Sequence, residues 1–245
     1  MWAVECAARS TPPAPSSPAG PRWLYLHGFA SGPQSAKGVA LAEHYARQGI
    51  HLERLNLRQP SLEHLRLSAM MRTVRDAIGG ERDRAIVFGS SLGGLTACRV
   101  AEEDARVCAL VLLAPALRSP EQMRRNVGEE GLRRWQETGW LETQDYAEKR
   151  PVRVHFGLIH DLDTVDARSG GWPDVRGPTL LIHGRRDTTT HLRYSREWAH
   201  GKRHVRLVEV DDGPELVESL GRIAAEADDF LRPFLVPAEG AAVPQ

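Results

Sequence analysis

Three cysteines in 245 residues, with no C-x-x-C pair among them, leave this chain without a disulfide framework or a thiolate metal cluster. Cys6 stands alone near the start, while Cys98 and Cys108 lie in apolar runs, where a free thiol behaves as a small buried hydrophobe. That usage suits a reducing compartment, and a cytoplasmic location is expected. Long apolar runs are missing as well: none approaches the ~18 residues that a membrane-spanning helix needs. Neither sign of charge is in excess, because 32 Lys plus Arg balance 32 Asp plus Glu. Without a basic field, neither nucleic acid nor an acidic membrane surface is an expected partner. After the first apolar run the chain reads His27-Gly-Phe-Ala-Ser-Gly32, not the G-x-G-x-x-G of a dinucleotide site. A P-loop lysine, an H-E-x-x-H pair and clustered Cys/His ligands are also absent, so no cofactor and no metal are expected.

What the chain does have is a rhythm. Residues 1–20 are rich in Pro, Ser and Ala and read as a disordered lead-in, and 237–245 read as a flexible tail. Between them, residues 21–236 form one expected domain. Trp23–His27 is a compact β-prone run, followed by apolar residues at helical spacing from Ser35 to Gln48. His51–Leu57 alternates apolar and polar residues, and Leu62, Met70, Val74 and Ile78 mark a helix that Gly79-Gly80 ends. Arg84–Phe88, Val107–Ala114, Thr179–His183 and Val205–Val210 are further strands. Helical patterns follow at Leu92–Glu103, Leu192–Ala199 and Glu215–Leu231. Continuous apolarity in Val107–Ala114 suits a strand covered on both faces. Strand–helix alternation of this kind predicts an α/β fold: a mostly parallel sheet with helices on both sides. Residues 119–166 interrupt it with a charged, Trp-containing stretch, expected to be a short helical insertion or small lid.

Gly89-Ser90-Ser91-Leu92-Gly93 matches G-x-S-x-G at a strand-to-helix junction. A turn that sharp projects the side chain of Ser91 from the carboxyl edge of the sheet, and glycines two positions either side remove the Cβ atoms that would collide. The alternative is a glycine-rich turn in which Ser91 only caps the next helix. Ser90 has the wrong flanking spacing for the same role.

With Tyr25-Leu-His-Gly-Phe29 at the end of the first strand, the chain resembles the α/β-hydrolase superfamily, and most closely its small single-domain bacterial serine esterases. The resemblance covers roughly residues 21–233. It implies a serine nucleophile at Ser91 and an oxyanion hole formed by the backbone N–H groups of Phe29 and Leu92. His27 is expected to be structural. The segment His183-Gly-Arg-Arg-Asp187 is similar to the family's H-G-x-x-D, which makes Asp187 the residue that orients the catalytic imidazole. The competing reading makes Asp187 a helix cap.

One position departs from the pattern. After the last strand, where the family keeps its histidine, the chain reads Asp211-Asp-Gly-Pro214-Glu-Leu. Proline accepts no proton, and a serine hydroxyl without an adjacent base is a poor nucleophile. His191, four residues beyond Asp187, is the first substitute base to consider; His160, His200 and His204 are weaker. Three readings stay open: a carboxylic-ester hydrolase acting on a small-molecule ester, a degenerate hydrolase that binds a ligand or partner without turnover, and a scaffold that uses only the fold. Leu117, Trp135, Trp140 and Trp172 are candidates to line an apolar acyl pocket. Pro214 itself is expected to sit at the start of the last helix, where proline is favoured.

Overall fold

The computed structural model describes residues 20–235. Six parallel strands form the main sheet: β1 (Arg22–Leu26), β2 (Leu52–Leu55), β3 (Ala85–Ser90), β4 (Val107–Leu113), β7 (Thr179–Gly184) and β8 (Val205–Val210). Their spatial order is β2-β1-β3-β4-β7-β8. Seven helices accompany the strands: α1 (Ala36–Ala46), α2 (Leu67–Ile78), α3 (Leu92–Glu103), α4 (Ser119–Thr138), α5 (Gly157–Asp166), α6 (Leu192–Ala199) and α7 (Leu220–Leu231).

Period-two alternation along the inner strands divides the core into two layers. Leu24, Leu26, Val87, Leu110, Leu112 and Leu181 face a cluster built with α2, α3, α5 and α6. Trp23, Tyr25, Ile86, Phe88, Val111, Leu180 and Ile182 face the other side, against Leu41 and Tyr45 of α1 and Ile223, Ala227 and Leu231 of α7. All six residues of β3 are buried, as a central strand covered on both faces requires. The edge strand β8 is only partly covered, and there Arg196 and Arg185 pair with Glu209.

The insertion differs from the helical excursion that its composition predicts. Between α4 and α5 lies an antiparallel hairpin of β5 (Trp140–Asp145) and β6 (Arg150–His155), paired from Trp140↔His155 to Asp145↔Arg150. Its charged, outward positions hid the short period-two pattern: only Val152 and Val154 of β6 are buried. Arg58, in the segment after β2, pairs with the fully buried Asp145, and the Tyr146 N–H donates to the Ala30 carbonyl (2.8 Å). These two contacts fasten the hairpin tip across the carboxyl edge of the sheet.

The last helix also starts later than its sequence suggests. Glu215 was expected to open it, yet α7 begins at Leu220. Leu216 has a left-handed backbone (φ 52°) and is fully buried, which stops a helix from running through it. Pro214 therefore lies in a loop, not at a helix start. Residues 1–19 and 236–245, which include Cys6, the lead-in and the tail, lie outside the described residues. No helix among the described residues is long and apolar enough to cross a membrane.

The β3–α3 junction is closely packed against backbone. A Cβ on Gly93 would stand 2.3 Å from the Leu26 carbonyl oxygen and 2.5 Å from that of His27. Both obstacles are backbone at the end of β1, so no side chain can swing aside. Gly93→Ala is expected to lower stability by about 3 kcal/mol, in the range of strong overpacking. A urea titration followed by tryptophan fluorescence reads the change directly; an unaltered midpoint would contradict the close packing.

Candidate active site

Ser91 joins β3 to α3 with φ 51° and ψ −117°, a conformation costly for any residue with a side chain. Backbone bonds hold it there. Its N–H donates to the Leu113 carbonyl (3.0 Å), and its own carbonyl accepts from Gly94, Leu95 and Ala116. The Ser91 hydroxyl does not cap α3. A cap would have turned Oγ back toward the helix; instead the residue faces two cavities at the sheet edge.

The first cavity, about 330 Å³, is lined largely by hydroxyl-bearing residues, among them Tyr25, Ser35 and Thr190, and by Lys37, Pro214 and Glu215. The second, about 230 Å³, is apolar, with Leu92, Ala116, Met123, Val127 and Leu141 on its wall. Phe29, Ser91, Thr143, Thr189 and Thr190 belong to both. Ser91 thus stands at the border between a polar and an apolar compartment. The hairpin contributes Leu141, Thr143 and Tyr146 to these walls, so the insertion roofs the site.

Phe29 and Leu92 line the apolar cavity together with Ser91. Among the described residues the Phe29 N–H donates to no backbone carbonyl. Leu92 opens α3, and first-turn N–H groups have no acceptor within their own helix. The helix dipole adds positive potential at the same end. Gly28 lets this loop approach closely: a Cβ there would be 3.2 Å from the Ser91 Cβ. His27 is 3% exposed, its Nδ1 bonded to the Gly28 carbonyl (2.9 Å) and its Nε2 accepting from the Leu57 N–H (3.1 Å). Burial holds this imidazole below the usual histidine range, so it stays neutral and ties the β1 loop to the segment after β2.

Asp187 lies beyond β7 with a fully buried carboxylate. Oδ1 accepts from the N–H groups of Thr189 and Thr190 (both 2.8 Å), and Oδ2 accepts from Thr190 Oγ1 (2.6 Å). It does not cap α6, whose N-cap is His191. Burial pushes the carboxyl up, but bonds from His183, Thr190 and Thr189 outweigh it and hold Asp187 below the usual carboxylate range. His183 opens the H-G-x-x-D segment and packs against this turn. Its Nε2 donates to the Thr190 carbonyl (2.7 Å) and lies 3.4 Å from Asp187 Oδ2, while Nδ1 meets Ser195 Oγ (2.7 Å). Both ring nitrogens are engaged, and His183 locks the turn that carries Asp187.

Pro214 lines the polar cavity with Ser91, at the position where a histidine was expected. His191 does not line either cavity; its backbone N–H donates to Gln122 Oε1 (3.0 Å) at the head of α6. Burial, together with Arg125 and Arg193, lowers its pKa. His160, His200 and His204 are likewise absent from both walls. Nor do Leu117, Trp135, Trp140 or Trp172 form the apolar cavity: Trp135 is core, with Nε1 donating to the Val154 carbonyl (2.9 Å), and Trp140 and Trp172 stack against Arg153 and Arg118. Aromatic content was the wrong signal there, since medium aliphatic residues on α4 and β5 face Ser91.

Lys37 escaped the sequence reading. Only 8% exposed, it projects from the first turn of α1, and its amine donates to the carbonyls of Glu215 (2.8 Å) and Pro214 (3.4 Å). Asp212 closes the same loop by accepting from the N–H groups of Gly213 (2.7 Å) and Ser219 (2.9 Å). No group of His, Cys, Asp and Glu among the described residues could hold a metal ion.

The parallel sheet, the strained serine at its carboxyl edge and the loops that converge on it define an α/β-hydrolase fold. Solved structures agree. Alpha/beta hydrolase domain-containing protein 10 from mouse aligns with a TM-score of 0.71 at 17% identity, over 87% of this chain and 90% of that one. Est1E from Butyrivibrio proteoclasticus gives 0.69 at 20% identity, over 88% of each chain. The esterase domain of a Rhodothermus marinus protein gives 0.64 at 18% identity, over 89% and 90%. The chain belongs to the family described as Uncharacterised protein family (UPF0227), whose model matches residues 22–223. A search of curated proteins returned no match.

The Asp187 turn makes a prediction about acid stability. Its folded pKa lies below the unfolded value near ~3.9, so its stabilisation is complete above that value and is lost as pH falls through the folded pKa. Asp187→Ala strands the Thr189 and Thr190 donors and is expected to lower stability at pH 7 by about 2–4 kcal/mol. Unfolding midpoints of the variant and the native chain should stay apart above pH ~4 and converge progressively as the pH falls below it toward the folded pKa. Parallel curves over that range would rule out the carboxylate as their cause.

Proposed function

We propose that this protein hydrolyses carboxylic esters of a short apolar acid through an acyl intermediate on Ser91. The reading rests on one observation above the others: an uncapped serine in a strained turn, at the meeting point of an apolar and a polar cavity. A cavity of about 230 Å³ suits a short acyl chain, and the polar cavity suits the alcohol side. Ser91 Oγ attacks the ester carbonyl while the N–H groups of Phe29 and Leu92 take the developing oxyanion. A single well-placed donor is worth ~3 kcal/mol in the transition state. The carbon–oxygen bond to the alcohol then breaks, and water releases the acid from Ser91. That the similar Rhodothermus marinus structure is an esterase domain supports the reaction class.

Pro214 limits the rate. Where no other group accepts the proton, binding and the oxyanion hole alone leave ~10³–10⁴-fold catalysis over water. Slow turnover is therefore expected of the native chain, and Pro214→His should raise kcat/KM by about 10²-fold or more.

The test is hydrolysis of p-nitrophenyl butyrate by the native chain, Ser91→Ala and Pro214→His. Turnover that disappears in Ser91→Ala and rises in Pro214→His is the expected result. Measurable turnover that is equal in the native chain and Ser91→Ala, with Pro214→His no faster than either, would sink the Ser91 mechanism. Turnover in Pro214→His alone would assign the native protein to binding without hydrolysis.

A further inference from the structure

Within the Ser91 reading, we propose that Lys37 is the proton acceptor for Ser91, serving where Pro214 cannot. Among the described residues, Lys37 is the one basic side chain on the walls of the two cavities around Ser91. It is also fixed at the expected place. Its amine is hydrogen-bonded to the carbonyls of Pro214 and Glu215, on the loop from which a histidine would have reached the serine.

The contacts suit a neutral amine, which carries two hydrogens and one lone pair. Two backbone carbonyls take the two hydrogens, and the lone pair is left for the cavity. An ammonium would have a third hydrogen to satisfy. The nearest charged partner is Glu215 Oε2, an ion pair at 3.7 Å that is beyond hydrogen-bond reach and screened by solvent, since that side chain is 81% exposed. Burial lowers the pKa of Lys37, while Glu215 and the more remote Asp187 and Asp212 oppose that shift without cancelling it. Tyr25 and Tyr146 are the phenols on that wall, and burial pushes Tyr25 up to about 12, so it stays neutral. Serine–lysine pairs are an established solution to the same chemical problem on unrelated folds.

The proton bookkeeping closes. As Ser91 Oγ bonds to the ester carbon, its proton passes to Lys37 Nζ through water in the cavity that both residues line. Nζ then protonates the departing alkoxide as the ester C–O bond breaks. In the second half a water gives its proton to Nζ and adds to the acyl carbon, and Ser91 leaves with that proton.

The structural alternative is that Lys37 only fastens the 212–216 loop. Lys37→Arg separates the two, because a guanidinium still donates to both carbonyls but cannot give up its proton in the working range. Lys37→Met removes both functions. Hydrolysis of p-nitrophenyl butyrate is measured from pH 6 to 10 for the native chain, both variants, Ser91→Ala and Pro214→His, with circular dichroism and thermal midpoints as the check on folding. For the native chain kcat/KM should climb about tenfold per pH unit on an alkaline limb that levels off below the ordinary lysine value near ~10.4. Lys37→Arg and Lys37→Met should each lose about 10²-fold in kcat at pH 8.5, with the limb abolished and KM little changed.

Native-like rate and limb in Lys37→Arg would overturn the assignment, and so would a native limb centred near ~6.5, the mark of a histidine. If neither variant folds, the position of the native limb alone decides. A native chain with no Ser91-dependent turnover at any pH also overturns Lys37 as the base, while activity in Pro214→His would show the Ser91 mechanism intact. Measurable turnover that is equal in Ser91→Ala and the native chain, with Pro214→His no faster than either, marks the separate failure of the Ser91 reading.

Discussion

The backbone at Ser91 is the constraint on which the rest of the site depends. A serine at φ 51° and ψ −117° costs on the order of 1–3 kcal/mol and persists only where its surroundings leave no alternative. Here they do not. β4 receives the Ser91 N–H, three following amides converge on its carbonyl, and β1 presses its carbonyl oxygens against Gly93. Leu113 and Leu26 lie on β4 and β1, the strands either side of β3, so the sheet register holds the turn together with the first turn of α3.

That register also explains why distant segments meet. Parallel strands deliver all their outgoing loops to one edge, and the loops after β1, β3, β7 and β8 bring Phe29, Ser91, Thr190 and Pro214 to the cavities. Gly184 allows the β7 and β8 exits to cross: a Cβ there would stand 2.5 Å from the Asp212 carbonyl oxygen. Asp212 and Lys37 then hold the 212–219 loop by its backbone. The loop is shaped by bonds that do not involve the side chain at 214, and for that reason the fold accommodates a proline there.

Much of this was legible in the sequence because it is periodic or punctuated. Strand alternation reported which side chains face which layer, and the glycines around Ser91 reported a crowded turn. The hairpin of β5 and β6 was not legible, since its outward residues are charged and only two inward positions on β6 are buried. The late start of α7 was hidden too: the left-handed Leu216 is imposed by its complete burial, a tertiary effect that overrides a helical pattern. Lys37 was missed for a different reason. A lysine early in an amphipathic helix reads as a solvated charge, and only its contacts with a loop 177 and 178 residues away show it to be buried.

Folding and chemistry are separable in this site, and Pro214 marks the division. Strain at Ser91, the free N–H at Phe29 and the buried Asp187 turn are all maintained by backbone geometry that an absent imidazole does not disturb. What the proline removes is a proton acceptor, and with it only the step that depends on one. A desolvated amine tied to the same loop restores an acceptor without rebuilding the loop, at the cost of shifting the reactive protonation state toward alkaline pH. On the proposed reading the polar cavity has two duties, to hold the alcohol side of an ester and to desolvate the Lys37 amine. The hairpin bears on both, since Thr143 and Tyr146 form part of that cavity's wall.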